Sequence, residues 1–181
     1  MDRRRFLSTL SALGGASLAT AAPQVSAQRT PDVIFVPTDF QVVTAMLKLA
    51  EVTSKDIVYD LGCGDGRFVV TAARQFGARG VGIDIDPARI REARALIDRT
   101  GANDKVRVIQ GDLFETDISE ATVVTLYLLT QLNLKLRPKL LKELKPGTRI
   151  MSHAFDMGDW LPEKTVEVAG TFIYLWRVPN A

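Results

Sequence analysis

The chain has 181 residues, 46% of them apolar and 24% charged. That is enough for one domain with a core and too little for two. Three of the 23 basic residues and one of the 21 acidic ones fall before residue 28, so the remainder is charge-balanced, which argues against a phosphate-backbone binder. Cys63 is the single cysteine, which excludes intramolecular disulfides and cysteine-based metal clusters.

In chain order, Arg3-Arg4-Arg5-Phe6-Leu7 opens a run that carries no charge from Phe6 to Gln28. The run is too mild and too interrupted by Gly14-Gly15 for a bilayer-spanning helix. With Val25-Ser26-Ala27 as a small-x-small cleavage site, residues 1–27 read as a secretory signal of the twin-arginine type. That predicts a periplasmic location for a domain spanning 28–181, or a cytoplasmic one if translation starts later. No permanent membrane anchor is expected.

Residues 39–52 place Val42, Val43, Met46, Leu47 and Ala50 on one helical face, with Thr38 available as the cap. Residues 57–61 read as a buried strand entering a glycine loop. Helical spacing resumes from Arg67 to Phe76 and stops at Gly77. A second strand covers 81–85, and Pro87 suits the first position of a helix reaching Arg99. Residues 106–110 form a third strand, and the apolar run 122–129 a fourth, covered on both faces. Leu132, Leu134 and Leu136 alternate; Pro138 then either starts a helix through Leu144 or kinks a longer one. Residues 148–154 give a fifth strand, and 165–168 with 171–178 a closing antiparallel hairpin. Strands alternating with helices at this spacing predict an α/β fold. It is doubly wound and Rossmann-like, with a mostly parallel seven-stranded sheet ending in that hairpin.

Ligands of such sheets bind beyond the carboxyl ends of the strands. Asp60-Leu61-Gly62-Cys63-Gly64-Asp65-Gly66 occupies that place after the first strand. Its glycines permit close backbone approach and φ values closed to other residues. Arg67 stands where the third glycine of a dinucleotide fingerprint belongs, and Asp60 would repel a pyrophosphate, which disfavours a nucleotide-dependent oxidoreductase. A carboxylate there suits a ligand with a positive amino group. Asp84, in Gly82-Ile83-Asp84-Ile85-Asp86-Pro87, lies 22 residues past Gly62, the distance for a ribose diol. Asp112, in Gly111-Asp112-Leu113, is placed to accept from an exocyclic adenine amine. Cys63 offers a backbone N–H and small size, and Arg67 faces solvent or pairs with an acid.

Together VYDLGCGDGRF (58–68), GIDIDP (82–87), GDLF (111–114) and KPGTRI (145–150) resemble the class I S-adenosylmethionine-dependent methyltransferases over about residues 35–178. The resemblance implies S-adenosylmethionine as cofactor. Asp60, Gly62, Gly64 and Gly66 would lie at its methionine end, Asp84 at the ribose and Asp112 at the adenine, with Cys63, Ile85 and Leu113 as further cofactor-binding residues. Residues 34–50 and 122–155 are further similar to the ATP synthase c-subunit lysine methyltransferase family and its small prokaryotic relatives. That likeness implies methyl transfer to a protein lysine, with a small-molecule acceptor or an exported non-catalytic binding domain as alternatives. The pattern departs at Asp39 and Thr130, both on the substrate side. No Asn/Asp-Pro-Pro-Tyr/Phe follows the fourth strand, which lowers the odds of a DNA adenine acceptor.

Tyr127 either orients an incoming amine or packs as a strand aromatic, and Asp156 is a candidate to hold a lysine ammonium. His153, the single histidine, reads as the partner of a structural hydrogen bond, and no metal site is expected. Neither a nucleic-acid partner nor an oligomer is expected.

Overall fold

The computed structural model describes Thr30 and residues 34–180; the expected signal sequence and cleavage site lie outside the described residues. Eleven elements follow among them. They are α1 (Phe40–Leu49), β1 (Ile57–Leu61), α2 (Arg67–Phe76), β2 (Arg79–Asp84), α3 (Pro87–Thr100), β3 (Val106–Gln110), β4 (Val123–Leu126), α4 (Thr130–Glu143), β5 (Arg149–His153), β6 (Lys164–Val168) and β7 (Thr171–Arg177). The strands form one seven-stranded sheet in the order β3-β2-β1-β4-β5-β7-β6. The first five are parallel, and β7 runs antiparallel against both β5 and β6. The chain reverses its direction of travel between β1 and β4, and that switch point opens a crevice at the strand ends.

Strand alternation sorts the apolar residues onto two faces. Tyr59, Leu61, Val124, Leu126 and Ile150 point to the face covered by Leu136 and Leu140 of α4. Val58, Val123 and Met151 point to the opposite face, against Val43, Met46 and Leu47 of α1 and Phe68 and Ala72 of α2. A smaller cluster of Val69, Val70, Ala73, Ile97 and Val106 joins α2, α3 and β3. Both faces of the central strands are dry, which explains their near-continuous apolar runs.

Two sequence expectations shift, and one alternative left open is decided. Asp39, not Thr38, caps α1: its carboxylate accepts from the Gln41 N–H at 2.7 Å, while Thr38 is buried. The fourth strand stops at Leu126 instead of Leu129, because its neighbour β1 ends at Leu61, the residue paired with Leu126. Past that point there is no ladder partner, and the chain turns into α4. Finally, α4 begins at Thr130 and carries Pro138 in its interior. The leucines that alternate in the sequence also stand in a four-residue row, and its members Leu136 and Leu140 are fully buried. Leu134 projects outward, 42% exposed. Burial of that row outweighs the helix-interior penalty of proline, about 3 kcal/mol. Among the described residues, no helix is long and apolar enough to cross a membrane.

Candidate functional site

A cavity of about 660 Å³ opens at the carboxyl ends of β1, β2, β3 and β4. Asp60, Gly62, Cys63, Asp84, Ile85, Asp112, Leu113 and Tyr127 all line it, so residues spread over 67 positions of sequence converge on one wall. Gly64 and Gly66 shape the loop from behind, and both have positive φ, +52° and +80°.

The loop's amides are turned inward. The N–H groups of Gly62 and Cys63 both donate to the Ile83 carbonyl, at 2.8 and 2.9 Å. That of Gly64 donates to Asp84 Oδ2 at 2.8 Å, and that of Gly66 to the Cys63 carbonyl at 2.9 Å. The expected ligand contact from the Cys63 N–H is therefore corrected: β2 already uses it. Cys63 contributes shape instead. It is buried, and a Cβ at position 82 would sit 2.7 Å from its sulfur, so glycine is the residue type that fits there. Burial pushes the thiol pKa up, which keeps it protonated and unreactive. A loop whose amides are spent internally is not a phosphate cradle. Its recognition groups are the carboxylates.

Asp60 is the penultimate residue of β1, opposite Gly82 of β2 and Thr125 of β4. Its Oδ1 accepts from the Thr125 hydroxyl at 2.7 Å. Burial raises its pKa to about 7; the Thr125 bond opposes the rise and the charges of Asp84 and Asp65 add to it. A buried carboxylate on a cavity wall is costly unless a cation arrives, and a ligand's amino group would supply one. Asp84 Oδ1 accepts from the Asp86 N–H at 2.9 Å, so this carboxylate braces both the glycine loop and the start of α3 while it faces the cavity. Asp86 caps α3 by accepting from the Ala88 N–H. Asp112 accepts from the Phe114 N–H at 2.9 Å, which sets the turn that brings Leu113 and Phe114 to the rim.

The segment before α1 is a site element that sequence reasoning missed. Ile34, Phe35, Val36 and Thr38 line the cavity, with Phe35 lying on Gly64: a Cβ there would meet the ring at 2.1 Å. The Arg89 guanidinium sits 4.8 Å from the centre of that ring. Arg67 bonds the Thr38 carbonyl and pairs with Asp65 at 2.6 Å, and the bond to Asp65 raises its pKa. An aromatic shortly before a helix start was the available signal, but its target lies 29 residues away.

At the other end, Tyr127 stands just past β4, half-buried on the wall. The His153 ring is 3.9 Å from its centroid and the Phe155 ring 6.0 Å, stacked at an angle of 28°. His153 Nδ1 and the Thr38 hydroxyl share a hydrogen bond of 3.1 Å, and burial lowers the imidazole pKa, so the ring is neutral at pH 7. Asp156 is not brought to the cavity. It is exposed and accepts from the Gly158 N–H at 3.1 Å, a local turn bond that leaves its carboxylate in solvent. Among the described residues no cluster of His, Cys, Asp and Glu could hold a metal.

Comparison with known proteins agrees with this geometry. The model of the ANTKMT methyltransferase domain matches residues 60–164, more than half of the chain. A protein-lysine N-methyltransferase of Saccharolobus islandicus is 52% identical over 139 residues, which are 76% of this chain and 86% of that protein. The ATP synthase c-subunit lysine N-methyltransferase of Xenopus laevis is 29% identical over 155 residues. Those residues are 86% of this chain but 66% of the frog protein, so the chain spans just under two thirds of that relative. Among solved structures, one described as an RNA methyltransferase from Salinibacter ruber, in complex with S-adenosyl-L-homocysteine, superposes with a TM-score of 0.80 at 55% identity. The match covers 81% of this chain and 95% of that one. With the carboxylate-lined switch point, the inward-turned glycine loop and these matches in agreement, the chain belongs to the ANTKMT methyltransferase domain family.

Proposed function

We propose that the protein transfers the methyl group of S-adenosylmethionine to a lysine amine of a protein. The observation that carries this is the continuity of one cavity from three carboxylates, on β1, β2 and the loop after β3, to the aromatic end at Tyr127. Asp60 fits the cofactor's amino group, Asp84 its ribose hydroxyls and Asp112 its adenine amine. When bound there, the cofactor supplies an electrophilic methyl on a sulfonium. That methyl would pass to the amine nitrogen, the sulfur keeping the bonding pair and the amine's extra proton going to water. The chain's own part is placement: holding an uncharged amine in line, at near-attack distance, accounts for most of what this chemistry needs. A water-poor cavity wall of Leu128, Leu132 and Phe114 favours the neutral amine over the ammonium, so no dedicated base is required.

The relative from Salinibacter is described as acting on RNA. Charge argues for a protein acceptor here: the chain beyond residue 27 has as many acidic as basic residues, whereas RNA binding draws on a basic surplus. The test is incubation with methyl-labelled S-adenosylmethionine and a host-cell extract containing both protein and RNA. Label recovered as methyl-lysine after protein hydrolysis supports the reading; label recovered in nucleosides overturns it.

Export belongs to the same proposal. The Arg3-Arg4-Arg5-Phe6-Leu7 start assigns the chain to the twin-arginine route, which carries folded proteins, and a bound cofactor would favour the folded state by mass action. Changing Arg3 and Arg4 to Lys should hold full-length chain in the cytoplasm while the unaltered chain appears shortened in the periplasm. Unaltered full-length chain confined to the cytoplasm would overturn it.

A further inference from the structure

The loop that follows β5 concentrates two costs. Ala154, between His153 and Phe155, has φ +64°, and the Phe155 N–H donates back across it to the His153 carbonyl at 2.8 Å. That is a γ-turn of the positive-φ kind, strained for any residue with a Cβ. The second cost is Asn133 of α4, fully buried, whose Oδ1 has no hydrogen-bond partner among the described residues. Its Nδ2 reaches the carbonyls of Phe155 and Asp156, at 3.3 and 3.1 Å, and Ser152 Oγ at 3.3 Å. The Ser152 hydroxyl donates to the same Phe155 carbonyl at 2.6 Å. Buried strain and an orphaned acceptor persist only where surrounding structure enforces them. What this pair enforces is the position of Phe155, turned so that its ring stacks toward Tyr127.

We propose that Phe155 is a positioning residue for the acceptor end: stacked on Tyr127, it sets the pose of the Tyr127 ring on the cavity wall, and that ring receives an aliphatic ammonium. The inference rests on the lysine reading above and names the surface that selects the amine. His153, 3.9 Å from the Tyr127 ring, leaves no space between those two rings for a nucleobase, and a flipped base is held by stacking between side chains. A cation on a slender stem needs only a ring face or edge, and aromatic faces attract it. Asn133 and Ser152 are positioning residues: they act through the Phe155 carbonyl.

The experiment compares Phe155→Leu with Phe155→Tyr, using total host-cell protein as acceptor and methyl-lysine measured by mass spectrometry. Phe155→Leu keeps the apolar bulk and removes the ring, and should raise the half-saturating acceptor concentration about three- to thirtyfold. Phe155→Tyr should stay within twofold of the unaltered protein, and both variants should bind S-adenosylmethionine with unchanged affinity. Unchanged acceptor saturation in Phe155→Leu overturns the proposal, as does an equal loss of cofactor affinity, which would mean a structural role. If the unaltered protein forms no methyl-lysine while binding cofactor, the lysine reading itself fails.

Discussion

At the β1–β3 end of the cavity, Asp60, Asp84 and Asp112 each bond a hydroxyl or an N–H close to the cavity they line. At the β4–β5 end, Tyr127 lines the cavity while His153 and Phe155, outside the lining, pack against its ring, and a buried amide supports that stack. The first end is a set of short polar bonds made by strand ends, suited to a ligand of fixed chemistry. The second is an apolar stack whose shape depends on how α4 and the loop after β5 pack. Recognition of a constant cofactor can be written into strand termini, whereas acceptor selection needs a surface that varies with packing. The segment Phe35–Thr38 touches both ends, by Phe35 on the glycine loop and by Thr38 on His153.

The largest expected effect breaks the cofactor end alone. In Gly64→Val the new Cβ would collide with the Phe35 ring, and a branched residue would have to hold φ +52°. Calorimetric titration should show no saturable S-adenosylmethionine binding, while the melt stays cooperative with about 1–2 kcal/mol lost to the left-handed backbone. Normal binding would remove the loop from the cofactor site. Asp84→Ala comes next. It deletes an acceptor for ligand hydroxyls and also frees the Gly64 N–H, and should weaken cofactor binding by about 1–3 kcal/mol without changing acceptor saturation. Equal changes at both ends would dissolve the distinction drawn above.

A pH series gives a smaller, graded test. Asp60 has its pKa raised to about 7 by burial, so below that pH the carboxyl carries a proton that must leave before a cation can be seated. Cofactor affinity should fall by up to tenfold per pH unit below 7, with proton release in the titration heat, and Asp60→Asn should abolish the dependence. The sign for stability is opposite: a raised folded pKa means the unliganded domain loses stability as pH rises from about 4 to 7. The smallest effect sharpens the comparison at its joint. Thr38→Val keeps the shape but removes the bond to His153, costing about 1 kcal/mol of stability. It should shift cofactor affinity and acceptor saturation together by a few-fold, where the two glycine-loop and Asp84 changes move only the first.

Much of the cofactor end is legible in the chain. The glycine loop after a buried strand, Asp84 at its spacing from that loop, and Asp112 after the third strand are local signals, because each residue lies at the terminus of its own element. The helix from Arg67 to Phe76 and the hairpin can be placed for the same reason: the periodicity and the Gly stops are contained within them. The role of the Cys63 amide is not legible, because its partner, the Ile83 carbonyl, belongs to another strand. Asp156 points to an ammonium by type alone, and nothing in its neighbourhood states that the loop turns the carboxylate outward.

The sequence by itself determined the alternation of strands and helices, the switch-point loop and the three carboxylates, since these follow from hydrophobic period, glycine placement and strand ends. Tertiary structure decided where the fourth strand stops, since pairing with β1 runs out at Leu126, and whether Pro138 begins a helix or lies within one. It also decided that Phe35 covers Gly64 and that Phe155 faces Tyr127. Those contacts join residues about 30 apart in the chain, and their energies come from packing and buried hydrogen bonds that exist only once the sheet has brought the strand ends together.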